Sequence, residues 1–370
     1  MQCRGRRRMH AIDDLWYGTG VAARIARAVL RPASWFYGVG VRARERRFEG
    51  ASAPQAPPPP AVSIGNLTVG GTGKTPIAAW AASRLRARHA RPAIVMRGYG
   101  GDEPLVHARL NPDVPVVVDA NRVRGAERAR EAGADCIILD DAFQHRRIAR
   151  VSDWVLVAAE RWREDLDLLP AGPLREPLSA LMRAQVLVVT RKSATRDAAE
   201  IVATRLAQHF PHLGIAMCHL ALDALVNPRT GAREPLSALR GRVMVGVAAV
   251  GSPRDFFAQL SMAGARIDEH PYRDHHAFTP AEVAALGRLA SRADGLVCTL
   301  KDAVKLAPMW PRAAGPLWYV SQIAVIERGE TVLDDALETV LAARQSVSST
   351  AGSAGPSSSA HGHRSPIADQ

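Results

Sequence analysis

Residues 63–76 read Ser63-Ile64-Gly65-Asn66-Leu67-Thr68-Val69-Gly70-Gly71-Thr72-Gly73-Lys74-Thr75-Pro76. An apolar run, a glycine-rich turn and a Lys-Thr pair opening a helix together form the layout of a phosphate-binding loop. Glycines at 70, 71 and 73 let backbone amides converge on phosphate oxygens with no Cβ in the way. The helix starting near Lys74 turns its positive end toward the same anion. Residues Val69, Gly70, Gly71, Thr72, Gly73, Lys74 and Thr75 are therefore expected around a nucleotide, with Lys74 on the outer phosphates and Thr75 offering its hydroxyl to Mg²⁺. One position departs from G-x-x-x-x-G-K-[ST]. Thr68 stands where the first glycine is usual, which requires a loop that starts outside the left-handed region.

A second element supplies what such a loop needs. Cys136-Ile137-Ile138-Leu139-Asp140-Asp141 is an apolar strand ending in acids, able to place a carboxylate beside Mg²⁺. Adjacent side chains on a strand point to opposite faces, so one aspartate is expected on the metal and the other among neighbouring groups. Around these two elements short β-rich runs alternate with helical stretches. Strands are expected at 61–64, 93–96, 114–118, 136–139, 154–157 and 186–190, and helices at 74–89, 122–132 and 196–209. A second series follows, with strands at 243–250, 296–300 and 317–320 and a helix over 253–263. The expected fold is α/β: a P-loop NTPase-like, mostly parallel sheet flanked by helices, with a second smaller α/β lobe. The expected divisions are a basic N-terminal segment (1–50), a proline-rich hinge (51–60), the nucleotide-binding core (61–214), the smaller lobe (215–345) and an unstructured tail (346–370).

The 370-residue chain carries a formal charge of +12, which favours an anionic partner. Residues 1–50 hold eleven arginines against four acids, contributing +7 of that total. Trp16, Tyr17, Trp35, Phe36 and Tyr37 are interleaved with them, a mixture suited to the headgroup layer of an anionic bilayer. The same pattern suits a helix docked on its own protein. Arginines interrupt every apolar run before it is long enough to span a membrane, so the segment is expected to lie on a surface. No nucleic-acid-binding motif occurs, and nucleic acid is not an expected partner. The four cysteines, at 3, 136, 218 and 298, are too far apart for a metal pair or a disulfide framework.

Six stretches resemble, in order, the motifs of the tetraacyldisaccharide 4'-kinases of lipid A biosynthesis: GNLTVGGTGKTP (65–76), RGYGG (97–101), GDEP (101–104), DDAFQH (140–145), LLPAGPLREP (168–177) and DHHAF (274–278). The resemblance spans roughly residues 15–340. It implies a kinase, with ATP and Mg²⁺, that moves the γ-phosphoryl to the 4'-hydroxyl of tetraacyldisaccharide 1-phosphate and forms lipid IVA. Its implied setting is the cytoplasmic face of the inner membrane, as a peripheral monomer.

By the same resemblance Asp102 and His275 form a catalytic dyad, and Glu103 joins Thr75, Asp140 and Asp141 as metal candidates. Arg122 and Arg175 act in catalysis with Lys74, while His145, Glu176 and Arg97 complete the active site. The chemistry is consistent with such roles: a sugar hydroxyl needs help losing its proton, a carboxylate can orient an imidazole, and arginines can offset phosphoryl charge. Several positions depart from the family pattern. Gly101 serves both RGYGG and GDEP, leaving Asp102 on a short tether, and Ala142 replaces a glycine, which requires a negative φ there. The usual F-G-N-G gives way to residues 163–167, and T-E-K-D reads Thr299-Leu300-Lys301-Asp302. The competing expectation is a membrane-recruited nucleotide switch that hydrolyses ATP and has no need for Asp102 or His275.

Overall fold

A computed structural model of the chain describes residues 12–49, 59–98 and 101–352. The basic extension before residue 12, most of the proline-rich hinge and the tail beyond 352 lie outside the described residues. Helix α1 (Val21–Glu49) precedes β1 (Ala61–Asn66), the glycine turn and α2 (Lys74–Ala87). There follow β2 (Pro92–Met96), α3 (Glu103–Leu110), β3 (Val116–Val118), α4 (Arg122–Glu131), β4 (Cys136–Asp140), β5 (Ser152–Ala158), β6 (Val186–Arg191) and α5 (Arg196–His209). The chain continues through β7 (Gly214–Val226), β8 (Arg233–Pro235), β9 (Val243–Ala248), α6 (Pro253–Met262), β10 (Arg266–Pro271) and α7 (Pro280–Ala290). It ends with β11 (Leu296–Thr299), α8 (Leu300–Leu306), β12 (Leu317–Arg328) and α9 (Glu330–Gly352).

All the strands join one sheet, ordered β10-β9-β11-β12-β7-β6-β5-β1-β4-β2-β3, with β8 on β7. Pairing is parallel except at β7, which runs antiparallel to β12 and to β8. One sheet thus runs through both of the expected divisions, and the first residues of β7 (Gly214–Val226) pair in parallel with β6.

The central strands β1, β2, β4, β5 and β6 are apolar and buried on both faces because helices cover both, and alternation sorts their side chains. Val62, Ile64, Ile138 and Trp154 face α2 and α9. Val155 and Val189 face α5, and Ala61, Ile137 and Leu139 face α4. In α2, Ile77, Ala81 and Leu85 recur at helical spacing and are wholly buried, so Leu85→Ala would cost about 2–5 kcal/mol.

Helix α9 continues through Gly352, past residue 346 at which the unstructured tail was expected to begin. Leu333, Leu337, Val340 and Leu341 anchor it in the core. Once nucleated, a helix adds turns at little cost, so residues 346–352 continue it.

Helix α1 presents two unlike faces. Arg27, Ser34 and Val41 are buried, while Val21, Ile25, Val29, Trp35 and Phe36 point outward and are exposed. Among the described residues no helix is long and apolar enough to cross a membrane.

Candidate active site

The cradle forms at the carboxyl edge of the sheet, where ligands bind in open α/β folds. Gly73 caps α2 from the left-handed region (φ 87°, ψ 24°), with no side-chain cap on the helix start and no acid in its first turn. The leading amides of α2 and their positive dipole end are therefore left for an anion. A Cβ at Gly73 would overlap Leu220 Cδ1, so both the backbone angle and the packing require glycine.

Thr68 shows why the first glycine is dispensable. It forms an antiparallel bridge with Leu174, and the Val69 amide donates to the Pro173 carbonyl at 2.8 Å. The loop thus begins in extended backbone that any residue adopts. It also follows that the Val69 N–H, one of the groups expected at the nucleotide, is already engaged. The Thr72 hydroxyl is buried in the cradle with no hydrogen-bond partner, and Thr190 Oγ1 donates to the Thr72 carbonyl at 2.9 Å.

Asn66, at the end of β1, organises the floor of the site. Its Oδ1 accepts from Lys74 Nζ at 3.3 Å and from Arg175, while its amide nitrogen donates to the Gly70 carbonyl. Arg175 also reaches Asp141 Oδ1 at 3.0 Å, and Lys74 Nζ lies 3.7 Å from the same oxygen. Burial pushes the Asp141 carboxyl up, but Lys74 and Arg175 prevail and hold it at about 2. It is a fixed anion beside the cradle.

The two aspartates diverge because Asp141, not Ala142, takes the positive φ (50°) of this turn. Asp140 is buried, and its Oδ2 lies 2.8 Å from His107 Nε2. Behind them the buried Arg122 donates to the Asp119 carbonyl at 2.8 Å and more weakly to that of Asp140. Burial, then Arg122 and Arg97, pushes His145 down to about 4, so its ring is neutral near pH 7.

Across the cleft, Asp102 and His275 meet. Asp102 is 1 % exposed at the start of α3, and its Oδ1 lies 2.8 Å from His275 Nδ1 across 173 positions of sequence. The short tether is no obstacle, because Asp102 sits at the N-cap of α3 and the smaller lobe brings His275 to it. His275 has φ 57° and a partly exposed side chain, and its other ring nitrogen lies 3.8 Å from Asp274 Oδ1.

Other expected groups are occupied. Glu103 pairs with Lys301 at 3.3 Å. Glu176 is buried between Arg183 and Gln144, and Gln144 in turn donates to the Asn66 carbonyl at 2.9 Å, so Glu176 braces the floor. Asp302 of the altered T-E-K-D motif accepts from the Ala249 amide and the Thr299 hydroxyl. The four metal candidates are not gathered, and among the described residues no three His, Cys, Asp or Glu form a metal-binding group. Mg²⁺ arriving with ATP needs only one or two protein oxygens, and Thr75 and Asp141 beside the cradle fit that demand.

Sequence reasoning overlooked Asn66, His107 and Lys192. His107 is wholly buried on Asp140. Lys192 donates to the Gly71 carbonyl at 3.2 Å. Asn66 could have been found, since it lies inside the quoted loop motif, whereas the other two are joined to the site only by the fold. Helix α1 reaches the site indirectly. Ser34 Oγ donates to the Leu168 carbonyl and accepts from the Ala171 amide, and Tyr37 bonds the Arg175 carbonyl, fixing the segment that carries Arg175.

Residues 26–342 match the family described as tetraacyldisaccharide-1-P 4'-kinase. A tetraacyldisaccharide 4'-kinase of Anaeromyxobacter sp. (strain K) is 37% identical over 311 residues, covering 77% of this chain and 82% of that protein. One from Geobacter sulfurreducens is 35% identical over 317 residues, 78% of this chain and 86% of that protein. Among solved structures, LpxK from Aquifex aeolicus in complex with ATP superposes with a TM-score of 0.67 at 27% identity, covering 85% of this chain and 99% of that one.

Proposed function

The chain belongs to the tetraacyldisaccharide-1-P 4'-kinase family, and from that premise we propose how its residues move the γ-phosphoryl of ATP to the 4'-hydroxyl of tetraacyldisaccharide 1-phosphate, forming lipid IVA. Bound Mg·ATP supplies the electrophilic phosphorus and a cation that screens its oxygens. The amides at the start of α2, with Lys74, hold the phosphates. Thr75 and Asp141 would hold Mg²⁺, and Asn66 and Arg175 keep Asp141 and Lys74 in register. His275 takes the proton of the sugar hydroxyl on Nε2 as that oxygen bonds to the γ-phosphorus, the bond from this phosphorus to the β–γ bridging oxygen breaks and ADP leaves; Asp102 orients the ring through its Nδ1–H. Arg122 and Arg97 stand behind this centre and offset charge on the transferring group or on the substrate's 1-phosphate.

The observation that carries this reading is the Asp102–His275 contact beside a cradle whose helix has no cap of its own. A nucleotide switch has no use for that contact, and the relatives described above are kinases.

The membrane-facing part of the proposal rests on α1. Its inner face grips the segment before Arg175, while its outer face exposes Val29 and Phe36. A peripheral position on the cytoplasmic face of the inner membrane would bring the cleft to a lipid acceptor. The test is incubation of purified protein with γ-labelled ATP, Mg²⁺ and the disaccharide 1-phosphate in detergent. Label is expected in the lipid for the wild type and absent for His275→Ala. Label absent with the wild type, under conditions where ATP binds, overturns the reading.

A further inference from the structure

Lys305, in the last turn of α8, lies beneath the Asp102–His275 pair. Its Nζ is 3.5 Å from Asp102 Oδ2 and 3.6 Å from Asp302 Oδ1, and its ammonium lies 5.5 Å from the centre of the Phe278 ring. The side chain is 14% exposed. Both Lys305 Nζ and Asp102 Oδ2 are buried and lack a hydrogen-bond partner, so each is the other's nearest satisfaction. Asp302 is placed differently. Its two oxygens already accept from the Ala249 amide at 3.2 Å and from Thr299 Oγ1 at 2.7 Å. A buried ammonium this close to two carboxylates could serve either of them. The unsatisfied oxygen belongs to Asp102.

We propose that Lys305 is a positioning residue for the hydroxyl-activating pair. Its ammonium holds the outer oxygen of Asp102, so the inner oxygen stays aligned on His275 Nδ1 and the opposite ring nitrogen stays turned toward the acceptor hydroxyl. The face of the Phe278 ring lies against the ammonium and adds a cation–π attraction. The lysine forms no bond to substrate and transfers no proton; it fixes the geometry of the group that does. The inference rests on the assignment of Asp102 and His275 made above. It accounts for a residue outside the motifs shared with the family, three positions beyond the altered T-E-K-D stretch.

The experiment compares kcat, the KM for ATP and the thermal midpoint of full-length wild type, Lys305→Met and Lys305→Arg in the lipid-labelling assay, each also in an Asp302→Asn background. A shift of about 1 Å in a catalytic group can cost on the order of a hundredfold. Lys305→Met is therefore expected to lower kcat by roughly tenfold to a hundredfold, with the KM for ATP nearly unchanged and Lys305→Arg recovering most of the loss.

The Asp302→Asn background decides between the two carboxylates. If Lys305 serves Asp102, Lys305→Met costs the same factor there as in the wild type. If the lysine only neutralises Asp302, the loss disappears once residue 302 is uncharged, and the proposal is overturned. Full activity of Lys305→Met overturns it as well. Should Lys305→Met fail to fold alone, the Asp302→Asn pair carries the comparison, because it leaves no unpaired charge at residue 302. Loss of product in the wild type would remove the kinase assignment itself. An active wild type with an inactive His275→Ala and an unaffected Lys305→Met removes only the role of Lys305.

Discussion

Replacing Gly73 by alanine strikes the cradle where backbone and packing both forbid it. The residue sits at φ 87°, and a Cβ would overlap Leu220 Cδ1 with Leu220 Cγ only 3.4 Å away. Leu220 is wholly buried in the core beneath α2, so it has no free space to enter. Left-handed backbone costs an alanine about 1–2 kcal/mol, and forcing a methyl into packed side chains costs about 1–3 kcal/mol. The loop can shed this combined ~2–5 kcal/mol by turning its amides away from the phosphate position, whereas the sheet below cannot move.

At 1.4 kcal/mol per factor of ten, ATP affinity should fall by about thirtyfold at the lower end and more than about a thousandfold at the upper. Calorimetric titration with Mg·ATP measures the loss, and a thermal melt in parallel confirms that the fold survives. Adding Leu220→Ala removes the overlap but leaves the angle, so it should restore about fivefold to a hundredfold of the affinity. A folded Gly73→Ala protein that binds ATP within about threefold of wild type would refute the reasoning.

His145, held at about 4 against 6.5 in the unfolded chain, makes stability fall as the pH drops from 6.5 toward 4, because the unfolded state takes up the proton first. Between pH 7 and pH 5 the loss should be on the order of 1–2 kcal/mol, and urea midpoints of wild type and His145→Gln should converge over that range. His107→Ala leaves Asp140 buried without its partner and should cost about 1–3 kcal/mol in chemical denaturation; an unchanged midpoint would sink that view of the pair. On the outer face of α1, Val29 is 71% and Phe36 is 68% exposed. A Val29→Glu/Phe36→Glu protein should melt as the wild type does yet co-sediment with anionic vesicles about tenfold less or worse, since each apolar side chain contributes about 1.5–3 kcal/mol on burial. Equal vesicle binding would mean that the helix does not meet the membrane through that face.

The parts of the fold most legible in the sequence are those governed by local chemistry. The strand-turn-helix at 61–87 follows from an apolar run, glycines and a Lys-Thr pair, and the strand ending at Asp140 follows from its apolar run and terminal acid. Strand β7 and helices α3, α7 and α9 were not anticipated; α9 is placed by packing of Leu333, Leu337 and Val340 in the core, whereas α7 does carry a local start signal, the capping box between Thr279 and Glu282. β7 is 13 residues long with a mixed burial pattern, since one half continues the parallel sheet and the other pairs antiparallel with β12. No single periodicity describes such a strand. The site divides in the same way. Motif residues such as Lys74, Asp141 and Arg175 could be named in advance. The partners that orient them could not, because His107 and Lys305 reach Asp140 and Asp102 across 33 and 203 positions of sequence. Thr68 shows a rule broken without penalty, since a strand bridge to Leu174 does the work of the absent glycine.

The account stands or falls on where the terminal phosphoryl points. A structure of the full chain with Mg²⁺ and a non-hydrolysable ATP analogue tests this directly. The account predicts phosphates enclosed by residues 70–75, Thr75 and Asp141 on the metal, and the γ-phosphorus directed into the cleft that His275 lines. A γ-phosphate directed away from His275, or a nucleotide held elsewhere on the protein, contradicts it.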